Sequence, residues 1–163
     1  MKQATVGLNL RKATLDDGPF LLALRNSDDV RSQSKVQEVI PEDIHTKWLQ
    51  RCLNSSDTVI WIIEEEGKRL GYIRAQKING GCDKGDWLLS IALECSACGK
   101  GYASWALGEA CRLMRADPGT LDLVAEVLET NVRAHRLFKK LGFIEVLQPD
   151  NKSGLIRYQL HGS

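Results

Sequence analysis

A glycine-containing turn at residues 95–103 is the segment best suited to ligand chemistry. An apolar run at residues 87–93 precedes it, and an amphipathic helical pattern at residues 102–114 follows it. Glycine lets a backbone approach a ligand closely, and the first amides of a helix have no partner within that helix. The turn therefore predicts an anion site that suits a diphosphate, although the same pattern also fits an ordinary strand-to-helix turn.

Two common phosphate-binding motifs are absent from the chain. It contains no G-x-x-x-x-G-K-[ST] motif and no G-x-G-x-x-G after the first strand, which argues against a P-loop nucleotidase and a Rossmann fold. Downstream of the turn, Asn131 is followed by LFKKLGF at residues 137–143. This segment and the pattern Cys98-x-x-Gly101-x-Ala103 resemble the GCN5-related N-acetyltransferases (GNAT), whose signatures are Q/R-x-x-G-x-G/A and an N…L-Y-E-K-L-G-F helix. The distance along the chain between the two motifs also resembles that in the family.

The resemblance implies acetyl-CoA as cosubstrate and a place for it. In that family two central parallel strands splay apart around the pantetheine arm, and here those strands would be residues 87–93 and 121–128. Backbone groups near Ile91 and Leu93 would bind the pantetheine and polarise the thioester carbonyl, and Asn131 would bond nearby. The diphosphate would be held by the turn residues Cys98, Gly99, Lys100, Gly101, Tyr102 and Ala103.

The sequence departs from the family pattern at two positions. Cys98 stands where Arg or Gln is usual, so one side-chain contact to phosphate is missing. Phe138 stands where many members carry a tyrosine that protonates the leaving thiolate, and phenylalanine has no proton to donate. We expect Phe138 to pack beside the thiol end of the cosubstrate, and the acid must come from elsewhere, come from water, or not be needed.

Two side chains are candidates for the general base. Glu126 lies on the strand beside the expected cleft, with Val124 and Leu128 expected on the other face; it is either the base or a salt-bridged surface carboxylate. His45 is either a base or substrate contact, or a partly exposed structural residue of its helix. His135 lies between two arginines and is interpreted as solvated.

The N-terminal half suggests the acceptor. Arg25, Arg31, His45-x-x-Trp48 and Gly71-x-x-Arg74 resemble the subgroup that acetylates amino sugars on nucleotide carriers, as in pseudaminic-acid-type pathways. Guanidinium geometry matches a diphosphate, so the three arginines are candidates to bind one, although each alone also fits a surface charge. Among the tryptophans, which otherwise suit the core, Trp48 is the one expected to contact the ligand. The alternatives are acetylation of a protein N-terminus, as in ribosomal-protein acetyltransferases, and a catalytically idle acyl-CoA-binding domain.

Hydrophobic periodicity and turn residues predict the order β-α-α-β-β-β-α-β-α-β-β. Helical pieces between strands imply parallel pairing, and the hairpins imply antiparallel pairing. The expected fold is α/β (α+β): a mixed, mostly antiparallel sheet of about seven strands, with about four flanking helices. Residues 1–163 would form a single GNAT domain.

Composition limits the other classes of function. The 163 residues carry a net charge of +1, which argues against nucleic-acid or anionic-membrane partners. The N-terminus has no signal-peptide pattern, and the five cysteines form no metal-binding pattern, so reduced thiols, the cytoplasm and no metal are expected. Cys95-x-x-Cys98 is interpreted as two small residues in a turn, with redox or metal binding as the alternative. The expected partner is a small-molecule amine, and the expected state is a monomer or homodimer.

Overall fold

The computed structural model describes residues 7–80, 84–148 and 154–162. Seven strands form one sheet in the order β1-β2-β3-β4-β5-β7-β6. The strands are β1 Leu8–Lys12, β2 Thr58–Glu65, β3 Lys68–Gly80, β4 Gly85–Leu93, β5 Thr120–Leu128, β6 Ile144–Val146 and β7 Leu155–His161. The helices are α1 Gly18–Arg25, α2 Asp28–Ser32, α3 Glu42–Leu53, α4 Tyr102–Ala116 and α5 Val132–Lys140. The predicted mixed fold is therefore confirmed.

The sheet is antiparallel except where β4 pairs with β5. Parallel pairing needs a crossover, and α4 supplies it between these two strands. Long antiparallel ladders flank the pair, β3 on the β4 side and β7 on the β5 side. The one parallel pair consequently lies in the middle of the sheet.

Two apolar clusters cover the two faces of the sheet. The larger one joins the inward residues of the central strands to α4 and α5, and includes Leu107, Leu123 and Phe138. The smaller one packs α1 and α3 on β2 through Leu21, Leu49 and other buried residues. Helices on both faces bury the apolar residues of the central strands, as the near-continuous apolar run of β4 predicted.

A buried carboxylate ties α1 to the edge of the sheet. Asp17 is fully buried, and its oxygens accept hydrogen bonds from both Nη atoms of Arg11 at 2.9 and 2.8 Å and from Nε of Arg69 at 2.8 Å. The backbone N–H of Thr14 donates to the same carboxylate at 2.8 Å. The hydrogen bonds from Arg11 hold the pKa of Asp17 well below its usual range.

The segment at residues 27–39, expected as a loop with some helix, contains the five-residue helix α2, in agreement with that prediction. One local prediction is wrong. Asn79 and Gly80, expected in a turn, continue β3 and pair with Asp86 and Gly85. The turn predicted at residues 149–151 lies outside the described residues, as does Cys82. Within the described residues, no helix is long and apolar enough to cross a membrane.

Candidate active site

The two central strands diverge. β4 and β5 pair only at Gly85–Thr120, Trp87–Leu123 and Leu88–Val124. Beyond that point β4 stays paired with β3 as far as Leu93, and β5 stays paired with β7 as far as Leu128. Backbone groups of residues 89–93 and 125–128 that face each other therefore have no strand partner and are available to a ligand. This is the predicted splay, and Ile91 and Leu93 lie on its β4 side.

The turn before α4 presents free backbone amides. Gly99 and Gly101 have φ of +77° and +82°, and a Cβ on either would meet no protein atom within 4 Å. Glycine is thus needed here for the left-handed backbone and not for lack of space. Among the described residues, the amides of residues 99–104 donate no hydrogen bond to another protein group. Unpaired amides at the positive end of a 15-residue helix form an anion site.

The side chains of this turn are mostly directed elsewhere. The Cys98 thiol donates to the carbonyl of Glu94 at 3.5 Å, and the Tyr102 hydroxyl donates to Oε2 of Glu65 at 2.8 Å. Lys100 is exposed and Ala103 is half-buried. The N–H of Cys98 also donates to the carbonyl of Cys95 at 3.1 Å, so Cys95-x-x-Cys98 forms a turn of two free thiols.

Asn131 lies at the far end of the splay, between β5 and α5. Its Oδ1 accepts a hydrogen bond from the N–H of Ala134 at 3.2 Å and so caps α5. With Oδ1 used in this way, Nδ2 remains as a donor with no bonded acceptor among the described residues. Asn131 therefore combines a helix-capping oxygen with a donor that its own cap does not use.

Phe138 is buried in the core beside α4. Its side chain is 3% exposed, its ring meets Phe143 edge-on at 5.1 Å, and it stacks on Tyr158 at 6.1 Å. The interpretation of His135 as solvated is wrong. Its Nδ1 lies 2.7 Å from the Tyr158 hydroxyl, and its Nε2 lies 3.0 Å from the carbonyl of Leu128.

Glu126 lies on the face of the sheet that α1 and α3 cover. It is directly opposite Arg157 on β7, whose Nη2 is 3.8 Å away. Val124 and Leu128 share this face with Glu126, contrary to the expectation, because residues two apart on a strand point the same way. The Glu126 side chain is partly exposed beside the splay and is ion-paired only loosely.

A cationic and aromatic cluster occupies the same face, over β3. The Arg74 guanidinium stands over the Trp48 ring at 5.8 Å from its centroid. Burial raises the pKa of Tyr72, and the positive charges of Arg74 and Arg25 act in the opposite direction, so both guanidiniums are near the phenol. Nη2 of Arg25 donates to the carbonyl of Val36 at 2.6 Å, while its Nη1 is buried with no hydrogen-bond partner among the described residues. A buried guanidinium nitrogen without an acceptor favours the binding of an anion.

Arg31 lies outside this cluster and the splay, whereas His45 contacts the cluster through Trp48 and lies away from the splay. Arg31 donates from Nε to the carbonyl of Gln37 at 2.9 Å and pairs with Asp28, so it organises the loop before α3. His45 is 4% exposed, against the expected partial exposure, and burial lowers its pKa. Its ring lies 5.2 Å from that of Trp48, on a helix that packs on β2, three strands from Glu126.

The family follows from this geometry together with the sequence. Residues 7–144 match the family model described as acetyltransferase (GNAT) domain. The chain belongs to the GNAT acetyltransferase family. No curated protein sequence matches the chain significantly.

Solved GNAT structures share the fold at low sequence identity. Spermidine N-acetyltransferase from Vibrio cholerae, in complex with CoA and spermine, has a TM-score of 0.83 and 16% identity, with 96% of each chain covered. Ribosomal-protein-alanine N-acetyltransferase from Brucella melitensis has a TM-score of 0.78 and 22% identity, covering 94% of this chain and 99% of that chain. The aminoglycoside acetyltransferase AAC(6')-Ib, in complex with coenzyme A, has a TM-score of 0.79 and 18% identity, with 94% of each covered.

Sequence reasoning missed three residues that lie beside the candidate site. Tyr72 shares a strand face with Arg74, so period-two alternation could have identified it. Arg157 and Tyr158 are brought to the site by the pairing of β7 with β5, and their sequence contains no local signal of that pairing.

Proposed function

We propose that the protein transfers an acetyl group from acetyl-CoA to the primary amine of a nucleotide-linked amino sugar. The observation that carries the proposal is the continuity of three features. The anion-binding turn before α4 opens into the splay between β4 and β5, and Glu126 borders that splay on the opposite face of the sheet. A thioester could enter from one face and an amine from the other.

The residues present fit acetyl-CoA. The free amides of residues 99–104 suit its diphosphate, and the unpaired backbone beside Ile91 and Leu93 suits the amide groups of its pantetheine. Nδ2 of Asn131 offers a further donor. Backbone N–H groups near Ile91 and Leu93 would also polarise the thioester carbonyl, which is the electrostatic part of the catalysis.

Glu126 is the residue we assign as general base. An amine must lose a proton to become acetylated, and a carboxylate at the edge of the gap can take it directly or through water. His45 has no part in this proposal, because β2 is about 14 Å from β5 at the usual strand spacing.

The leaving thiolate needs no side-chain acid in this proposal. Phe138 occupies the position of the usual tyrosine and has no proton to give. The Tyr158 hydroxyl is engaged by His135. We therefore assign protonation of the thiolate to water, with Phe138 as a packing residue.

The cluster of Arg25, Tyr72, Arg74 and Trp48 supports an acceptor that carries an anion. Two guanidiniums and a phenol hydroxyl suit a phosphate, and the Trp48 ring suits stacking. β3 and β5 are separated by about 10 Å or more, since β4 and a widening gap lie between them. The carboxylate of an α-amino acid is too close to its amine to span that distance, whereas the phosphates of a nucleotide-linked sugar are far enough away.

Two alternatives make different predictions. The structural relatives include an enzyme named for spermidine and one named for ribosomal-protein alanine. Positive charge over β3 repels a polyamine, which disfavours the first acceptor. A peptide N-terminus, or no acceptor at all, remains an outcome of the experiment below. The free thiols of the described cysteines also favour the cytoplasm as the compartment.

The test compares acceptors and variants by steady-state acetylation. We expect a UDP-linked 4-amino sugar to react at least tenfold faster, in kcat/KM, than the free sugar, because the nucleotide supplies binding energy remote from the amine. Arg74→Gln should remove most of that preference, and Arg31→Gln is its matched control, since Arg31 lies outside the cluster. Glu126→Gln should lower kcat by about a hundredfold or more and leave CoA affinity unchanged.

Each part of the proposal can fail separately. Equal rates on free and nucleotide-linked sugars, or preference for a peptide or spermidine, would contradict the acceptor class. An unchanged kcat in Glu126→Gln would contradict its role as base. Acetyl-CoA that binds but is never turned over with any amine would favour the idle domain.

A further inference from the structure

A histidine–tyrosine pair lies behind the pantetheine end of the proposed site. Tyr158 on β7 is 1% exposed, and its hydroxyl is 2.7 Å from Nδ1 of His135 on α5. Nε2 of His135 lies 3.0 Å from the carbonyl of Leu128 and 3.2 Å from that of Glu129, at the end of β5. Neither side chain has a part in the acetyl transfer described above.

The partners decide which atom carries the proton. A carbonyl oxygen can only accept, so Nε2 of His135 must be the protonated nitrogen that donates to Leu128 and Glu129. In the neutral ring Nδ1 is then an acceptor, and the Tyr158 hydroxyl donates to it. Burial raises the pKa of Tyr158, which keeps this donor protonated. The chain of hydrogen bonds runs from β7 through α5 to the end of β5.

The chain of hydrogen bonds ends at the turn that holds Asn131. The Leu128 carbonyl accepts both from His135 and from the N–H of Asn131, the latter at 2.9 Å. Asn131 in turn caps α5 through Ala134. β5 has lost its β4 partner at this point, so His135 supports a strand end that the sheet supports on one side only. The Tyr158 ring also stacks on Phe138, the other residue of α5 expected beside the cosubstrate.

We infer that His135 and Tyr158 are positioning residues, which fix the Asn131 turn and the Phe138 ring for the pantetheine arm of acetyl-CoA. This inference rests on the proposed function, because it assumes that the pantetheine lies in the splay. The pair acts on the pantetheine end alone. The diphosphate turn before α4 is built from a different part of the chain and shares none of these hydrogen bonds.

The test separates the two ends of the ligand. Calorimetry measures the affinity of CoA and of adenosine 3′-phosphate 5′-diphosphate, which carries the same diphosphate but no pantetheine. Tyr158→Phe keeps the ring on Phe138 and removes only the hydroxyl. It should raise the Kd for CoA by about three- to tenfold, as expected for one misplaced hydrogen bond, and leave the Kd for the nucleotide unchanged.

A double-mutant cycle tests whether the effect passes through Asn131. Asn131→Ala should also weaken the binding of CoA and not that of the nucleotide. The double variant Tyr158→Phe/Asn131→Ala should lose no more CoA affinity than Asn131→Ala alone. Gln159→Ala is the control, since it removes from β7 a side chain that donates to Asp122 outside this network, and it should cause no selective loss of CoA affinity. His135→Gln, which keeps a donor for the Leu128 carbonyl, should lower the affinity for CoA less than His135→Ala does.

The outcomes distinguish this inference from the proposed function. An equal loss of affinity for CoA and for the nucleotide in Tyr158→Phe, or additive losses of CoA affinity in the double variant, would indicate a general destabilisation of the fold and overturn the inference. Unchanged CoA affinity in Tyr158→Phe would overturn it too. Failure of the wild-type protein to bind CoA any more tightly than the nucleotide would instead overturn the placement of pantetheine in the splay, and with it the proposed function.

Discussion

Replacement of Gly101 by alanine tests the diphosphate site most directly. Gly101 has φ of +82°, and an added Cβ would meet no protein atom within 4 Å. The substitution therefore causes no clash, and its cost comes from the backbone alone. A left-handed conformation costs an alanine about 1–2 kcal/mol, so Gly101→Ala should lower the free energy of unfolding by about that amount.

The effect on ligand binding depends on how the backbone relieves this cost. If residue 101 leaves the left-handed region, the amides of the α4 turn change direction and at least one hydrogen bond to the diphosphate is lost. A hydrogen bond to a charged group contributes about 1.5–3 kcal/mol. Gly101→Ala should therefore raise the Kd for CoA by about 10- to 150-fold.

Gly67 provides a matched control. It also has φ of +82° and no protein atom within 4 Å of an added Cβ, but it lies in the β2–β3 hairpin. Thermal unfolding should show similar destabilisation in Gly67→Ala and Gly101→Ala, and calorimetry with CoA should show weakened binding only in the second. Wild-type affinity in Gly101→Ala, or an equal loss in both variants, would refute the reasoning.

Two further substitutions test the missing acid and the buried ion cluster. Phe138→Tyr should change kcat by less than about tenfold in steady-state assays, because water already protonates the thiolate; a rise of orders of magnitude would mean that the wild type is an idle domain. Asp17→Asn should lower the free energy of unfolding by about 1–3 kcal/mol at pH 7, because it replaces one of the two buried oxygens that accept hydrogen bonds from Arg11 and Arg69 with an NH2 group. The pKa of Asp17 is lowered on folding, so its contribution to stability is present above about pH 4, where the unfolded carboxyl is ionised, and is lost as pH falls below that. Denaturant titrations should thus show a smaller loss of stability between pH 5 and pH 2 in Asp17→Asn than in the wild type.

The cosubstrate side of the site could be predicted from the sequence because it is encoded locally. Strand, glycine turn and helix follow one another within residues 87–114, and the left-handed glycines occur where the pattern places them. Asn131 caps α5 directly after β5. Each of these features depends on residues that are neighbours along the chain, and such local features can be predicted from hydrophobic periodicity and capping preferences.

The acceptor side could not be predicted in the same way, because its residues meet only through tertiary pairing. Arg25, Trp48 and Arg74 come from α1, α3 and β3, and their convergence depends on how two helices pack on the sheet. The sequence suggested Arg31 as readily as Arg25, yet Arg31 binds its own loop. Whether His45 is buried or exposed was likewise decided by the packing of α3 on β2.

The contrast between the two sides has a physical origin that bears on specificity. In the proposed site the cosubstrate is bound largely by backbone groups, whose direction requires only glycine at two positions and two strands that diverge. Side-chain substitutions there should affect acetyl-CoA little unless they change the backbone. In the proposed site the acceptor contacts side chains from separate elements, each of which can change without disturbing the sheet. Acceptor preference can therefore differ among proteins with this fold while the binding of acetyl-CoA is retained, and Arg25 and Arg74 are the positions at which we expect that preference to change in this chain.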